Sequence, residues 1–262
     1  MSLAKRSVAL ALGALGLAPF APAQDLTVVY KETGGKAGTS TQYFTKERMR
    51  TSGAEHDSIV EYATGKITSI DHKKKEYSEV TLAEMEAQMK AAAAEMEKAN
   101  AQMKQQMENM PPAMREKMEK MMGGVAEATT VTKGGTRKVA GYDCQEYTIA
   151  MGQAVKTQTC NTTALKLPVP EIDYKRFAAI ASPFKGMANN PMGKGMSQLA
   201  EKMKEVQGLA LAENTTVSVL GKTQTSGREA VEVKQGPVDP SVFAVPAGYK
   251  KVAAPGLKGG RN

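Results

Sequence analysis

Apolar and polar residues alternate along Leu26-Thr-Val-Val-Tyr30, and similar β-rich runs recur at Thr41 to Arg50, Ser58 to Tyr62, Lys66 to Ile70 and Glu76 to Val80. A period of two is the period of a strand, and Gly34-Gly35, Ala63-Thr64-Gly65 and Asp71-His72-Lys73 fall where turns are needed. The pattern predicts an antiparallel meander whose one-sided alternation leaves one face covered and the other wet.

At Thr81 the period lengthens to between three and four. Thr81-Leu-Ala-Glu84 matches a capping box, in which the threonine and glutamate side chains satisfy free amides at a helix start. The helix is predicted to run to about Asn109, because Pro111-Pro112 removes two backbone donors and stops it. Ten of the 17 methionines lie between Met85 and Met122. Leu82, Met89, Met96, Met103 and Met110 keep a seven-residue step, with Met85, Ala92 and Ala99 between them. One helix face is therefore nearly pure thioether and methyl, while Glu86 and Lys90 form an i,i+4 pair on the far side. A shorter helix carrying Met114 and Met118 follows the prolines and stops at Gly123-Gly124, so residues 82–122 read as a Met-rich helical insertion.

Strand character returns at Thr129 to Lys133, Arg137 to Ile149 and Val155 to Thr163. Glu171 to Ala181 and Met196 to Val206 read as helices flanking a Gly- and Pro-rich loop, and Thr215 to Thr225 with Arg228 to Lys234 as a hairpin around Ser226-Gly227. Phe243 to Tyr249 closes the ordered region. The expectation is an α+β fold, a curved antiparallel sheet forming a single domain over residues 24–250, with 251–262 as a disordered tail.

Composition adds a compartment. Lys5 and Arg6 precede an apolar run from Val8 to Leu17 and the small residues Ala21-Pro22-Ala23, the pattern of a secretory signal peptide over residues 1–23 cleaved after Ala23. A periplasmic or secreted location follows, and the absence of cysteine beside the cleavage site predicts release rather than lipid anchoring. No later segment approaches the roughly 20 apolar residues of a membrane span. Loss of Lys5 and Arg6 lowers the net charge from +8 to +6, the lysines are dispersed and tryptophan is absent, so no nucleic-acid partner is expected. Cys144 and Cys160 are equidistant from Gly152, and a hairpin closing on Met151-Gly152-Gln153 would set them opposite each other as a disulfide.

The segments Lys46-Glu-Arg-Met-Arg50, Ile67-Thr-Ser-Ile-Asp-His-Lys-Lys-Lys-Glu-Tyr77, Val139-Ala-Gly-Tyr-Asp-Cys-Gln-Glu-Tyr147, Met110-Pro-Pro-Ala-Met-Arg115 and Phe243 to Tyr249, taken in order, resemble a family of exported bacterial proteins classed as a domain of unknown function. That family is akin to the periplasmic lipoprotein carriers of the LolA/LolB-like superfamily. The resemblance implies a half-open antiparallel barrel wrapped over helices, with a cavity for acyl chains or a sensing role. The long methionine insertion and the disulfide hairpin depart from the lipoprotein carriers.

Catalytic patterns are thin. His56 and His72, each beside an aspartate, read as surface groups in charged turns, and no local arrangement suggests a serine–histidine–acid triad. Gly221-Lys222-Thr223 has the ending of a phosphate loop, but Thr216 stands where its leading glycine belongs. No enzyme activity, cofactor or metal site is expected. The candidate ligand-binding residues are Met85, Met89, Met96, Met103, Met107, Met110, Met114 and Met118, an adaptable apolar stripe suited to a hydrophobic ligand or a lipidated or protein partner, such as a lipid or lipoprotein. Two alternatives use the same residues. Pairs such as Met103/Met107 and Met114/Met118 set thioethers one turn apart, as Cu(I) binding or oxidant buffering would require, or the stripe simply packs as a structural module with no ligand.

Overall fold

The computed structural model describes residues 24–34, 37–108, 111, 129–168, 201–219 and 222–254. Six short strands come first: β1 (Leu26–Thr33), β2 (Gly38–Phe44), β3 (Arg48–Ser52), β4 (His56–Glu61), β5 (Lys66–Asp71) and β6 (Glu76–Val80). The helix α1 (Leu82–Glu108) follows, then β7 (Thr129–Val139), β8 (Tyr142–Met151), β9 (Val155–Thr162), β10 (Leu209–Val219), β11 (Lys222–Gln235), a 3-10 turn at Pro240–Phe243 and β12 (Lys250–Lys251). The described strands make one open, curved twelve-stranded sheet ordered β12-β6-β5-β4-β3-β2-β1-β11-β10-β9-β8-β7. Every pairing is antiparallel except β12 with β6.

Where the structure departs from the sequence pattern, a local cause is visible. The expected run Thr41 to Arg50 splits into β2 and β3, because the Thr45 amide donates to the Arg48 carbonyl at 2.9 Å and the Thr45 hydroxyl accepts the Arg48 amide at 3.0 Å. The run Arg137 to Ile149 is broken by a two-residue hairpin, with Ala140 at φ 49° and Gly141 at φ 86° between paired Val139 and Tyr142. Two positive φ angles fit a primed turn that follows the strand twist. Ser226-Gly227 is not a turn but the middle of β11, where the backbone lies so close to Thr33 and Glu213 that a Cβ on Gly227 would fall 2.8 and 2.9 Å from their oxygens. The final hairpin instead turns after Val219, which pairs with Lys222.

Cys144 and Cys160 do form a disulfide, with Cα atoms 5.3 Å apart. Its register differs from the expected one. Met151 pairs with Val155 and Glu146 with Cys160, so the loop is Gly152-Gln153-Ala154 with Gly152 at φ 55° in its first position. Moving the loop by one residue shifts every partner by two and makes the bridge diagonal across the ladder. The capping box forms as read: the Thr81 amide donates to Glu84 Oε2 at 2.7 Å and the Glu84 amide to Thr81 Oγ1 at 3.2 Å, and Glu86 meets Lys90 at 3.0 Å.

Two hydrophobic clusters lie on opposite faces of the sheet. Leu26, Val28 and Phe44 on one face join Val139, Cys144, Cys160, Leu209 and Leu211. Paired residues share a face and successive residues alternate, so Arg50 and Ile59, next to Met49 and Val60, point to the other side. There Ile59 and Ile70 pack under Phe243, flanked by Val238, Val242, Val245 and Tyr249 of the C-terminal segment. Lys251, placed in the tail by the sequence, pairs with Tyr77. The expected signal peptide over residues 1–23, the expected second helix of the insertion, the expected helix from Glu171 to Ala181 and residues 196–200 of the next expected helix lie outside the described residues. Among those described, no helix is long and apolar enough to cross a membrane.

Candidate functional site

Residue pairing sorts the open face of the meander β2 to β6 into rows. The first row is Phe44, Met49, Val60, Ile67 and Val80, each opposite the next across neighbouring strands. Phe44 is buried in the first cluster, while Met49, Val60, Ile67 and Val80 are only half-buried. The second row is Gln42, Thr51, Ser58, Ser69 and Ser78. A third, shorter row is His56, Asp71 and Glu76. Polarity therefore rises stepwise along the strands: apolar, hydroxyl, charged. A cavity of about 450 Å³ lies over the second and third rows, lined by Thr51, Ser58, Ser69, Ser78, Asp71 and Glu76 among others.

The apolar row leads into α1. Val80 precedes Thr81, and Leu82 seats on Gly65, whose φ of 64° and lack of a Cβ leave room for the leucine; a Cβ there would fall 2.4 Å from Leu82 Cδ1. The Leu82 amide donates to the Gly65 carbonyl at 3.2 Å. Along the helix stripe Leu82, Met85, Met89 and Ala92 are half-buried, whereas Ala99 is exposed. No described residue of α1 belongs to either hydrophobic cluster. Of the remaining candidate methionines, Met96, Met103 and Met107 fall within α1, and Met110, Met114 and Met118 lie outside the described residues.

The opposite face is closed by a polar anchor that sequence reading missed. Arg50 pairs with Asp57 and donates to the carbonyls of Val242 and, at 3.2 Å, Ala244. His72 Nε2 lies 3.0 Å from Asp57 Oδ2, and its Nδ1 is 2.9 Å from the Tyr249 hydroxyl. Burial alone would raise the fully covered Asp57 carboxyl, but hydrogen bonds from Arg50 and His72 together with the Arg50 charge outweigh it and hold the group below the usual carboxylate value. His72 is therefore a joint between the meander and the C-terminal segment rather than a surface group. No signal short of the strand register brings Asp57, at a strand start, to His72 in the next turn but one.

At the far end of the sheet a groove of about 310 Å³ is lined by Arg137, Glu146, Glu213, Arg228 and Glu229. Its charges satisfy each other. Arg137 meets Glu146 at 3.3 Å and Glu229 at 3.0 Å, and Arg228 meets Glu213 at 3.1 Å while lying 4.8 Å above the Tyr30 ring. Burial pushes the Tyr30 hydroxyl up to about 12, and it donates to the Ala210 carbonyl at 2.9 Å. Among the described residues no group of histidine, cysteine or carboxylate side chains is arranged to hold a metal ion.

The architecture is that of a β-sheet protein in which the described residues leave one amphipathic face of the meander uncovered. A family model described as a domain of unknown function, DUF4412, matches residues 89–249, and the chain belongs to that family. No curated protein matches it. Among solved structures, an uncharacterized conserved protein from Thermus thermophilus is 5% identical with a TM-score of 0.44, covering 88% of this chain and 91% of that one. The Pseudomonas aeruginosa MucA/MucB complex gives 8% identity and a TM-score of 0.40, covering 87% of this chain and 56% of that chain. PNGF-II gives 11% and 0.40, covering 90% of this chain and only 32% of its own. Likenesses this distant carry no argument about ligand or activity.

Proposed function

We propose that this chain is an exported, non-enzymatic binding protein that receives the apolar chain of a lipid or lipidated partner on the open face of its meander. The observation that supports the reading is the half-buried row Met49, Val60, Ile67 and Val80, which continues the buried Leu26 and Phe44 outward and ends where the methionine stripe of α1 begins. A sheet face left half-open beside a flexible thioether surface suits a ligand of variable shape, since methionine repacks at little cost. The helical insertion over residues 82–122 would then serve as the pliable wall of the site, with the exposed Ala99 on its solvent-facing stretch.

The test is native mass spectrometry of protein recovered from an oxidising compartment, with uptake of a fluorescent fatty acid as a second readout. Co-purifying lipid, and uptake that falls at least tenfold in Val60→Asp/Ile67→Asp, is expected. Absence of both lipid and uptake in the unaltered chain would remove the proposal.

A further inference from the structure

The hydroxyl row has a feature the apolar row does not explain. Ser58, Ser69 and Ser78 stand opposite one another on three adjacent strands, where paired side chains have Cβ atoms about 4.5–5.5 Å apart. Thr51 extends the line and receives only a 3.5 Å hydrogen bond from Gln42. The three serine hydroxyls have no hydrogen-bond partner among the described residues, although Ser78 is buried and lines the 450 Å³ cavity. Hydroxyls that both donate and accept are set in a line, open to a cavity large enough for one or two sugar-sized rings.

The next row decides the charge of what fits. Asp71 and Glu76 are half-buried neighbours at the cavity rim, and Lys74 there lies 3.6 Å from Asp71. Among the cavity-lining groups at this rim Asp71 and Glu76 outnumber Lys74, and His56 stands opposite Asp71. Lys250 of β12 stands beside Glu76 but outside the lining, so the lining itself carries the excess negative charge that disfavours an anionic group. The two carboxylates accept hydrogen bonds from hydroxyls, and such charge-assisted bonds are the strong ones. The apolar row runs parallel to this strip, one residue pair away along the strands.

We infer that the cavity over Thr51, Ser58, Ser69 and Ser78 is a head-group subsite for an uncharged, hydroxyl-rich head carried on an apolar chain, an amphiphile of the glycolipid type rather than a phosphate-headed one. This rests on the reading of the open face as a hydrophobic-ligand site and names the class of ligand. The alkyl chain lies along Met49, Val60, Ile67 and Val80, and the head reaches across to the serines and to Asp71 and Glu76.

Titration calorimetry of the full mature chain with dodecyl maltoside below its micelle-forming concentration, with dodecyl phosphate and with maltose tests it. The maltoside is expected to bind at least tenfold tighter than the phosphate, and Ser58→Ala/Ser69→Ala/Ser78→Ala to lose that preference while keeping the dodecyl phosphate affinity. That retained affinity also shows that the variant is folded. Equal or tighter binding of dodecyl phosphate, or an unchanged preference in the triple variant, would overturn the head-group assignment and leave the hydrophobic site standing. Maltose binding as tightly as its dodecyl derivative would overturn the hydrophobic site, and failure of every probe would overturn both.

Discussion

The two faces of the meander β3 to β6 are made by the same strands, yet one is closed and the other open. On the closed face Ile59 and Ile70 lie under Phe243, and the cover is stitched down by Arg50, Asp57, His72 and Tyr249. On the open face the alternate residues Val60, Ile67, Ser58 and Ser69 meet no such cover among the described residues. On the closed face the buried charges Arg50 and Asp57 are paired with each other and with the C-terminal segment, whereas the serines of the open face meet no hydrogen-bond partner among the described residues. A buried charge without a partner costs several kcal/mol, whereas a serine hydroxyl that water reaches, as at the exposed Ser69, costs almost nothing. The closed face is therefore held by paired buried charges, and the described residues supply no such anchor on the other.

Asp57→Ala breaks the contrast most severely. It leaves the Arg50 guanidinium buried and unpaired beside the Val242 carbonyl, and removal of one member of a buried pair costs about 3–5 kcal/mol. A fall in Tm with early proteolysis of the C-terminal segment is expected, read by calorimetry and limited trypsin digestion; an unchanged Tm would mean that the anchor does not hold the cover. Acid acts on the same group. Because Asp57 sits below the ordinary aspartate value of 3.8 in the folded chain, the unfolded chain binds its proton first, and the stability it contributes is present above that value and lost as pH falls through the folded one. Urea midpoints measured downward from about pH 5 should drop more steeply for the unaltered chain than for Asp57→Asn.

The closed face was the part least legible in the sequence. Alternation marked β4 and β5, Ala63-Thr64-Gly65 marked the turn between them, and the capping box Thr81/Glu84 marked the start of α1 to the residue. His72 read as solvent-exposed because its neighbours Lys73, Lys74 and Lys75 are charged and exposed; its partners come from β4 and from a segment 177 residues away, and no local pattern encodes that distance. The disulfide was legible as a pair but not in register, since a loop centred on Gly152 and one starting there differ by a single residue in sequence. The serine row was hidden for the same reason. A one-residue error in the turn after β4 sets Ser58 against Ile70 instead of Ser69 and moves it to the wrong face.

Gly65→Ala probes the junction between the open face and α1. The added Cβ meets Leu82, a flexible side chain that can yield, but φ of 64° also strains any residue with a Cβ by about 1–2 kcal/mol. Loss of helix start rather than of sheet is expected, visible as faster amide exchange at Leu82 to Met85 with protection in β4 and β5 retained. Equal loss in both would show that the helix start and the meander form one cooperative unit. Ala140→Gly works in the opposite direction in the distant β7–β8 hairpin. It relieves a left-handed alanine, so Tm should rise by the equivalent of about 0.5–1 kcal/mol, and a fall would show that Ala140 contributes packing beyond its turn.

Ser69→Ala is the smallest change and the sharpest test of the comparison. Ser69 is exposed on the open face, directly opposite Ser58 and Ser78, and its hydroxyl has no partner among the described residues. A surface substitution of this kind stays within about 0.5 kcal/mol in stability. The closed-face counterpart, Thr68→Ala one residue away, removes a buried side chain from the side packed under the C-terminal cover and should cost more. Paired urea melts of the two variants measure the asymmetry directly. If Ser69→Ala proves as costly as Thr68→Ala, its hydroxyl is part of the chain's own packing, and the open face is closed after all by residues of the same chain.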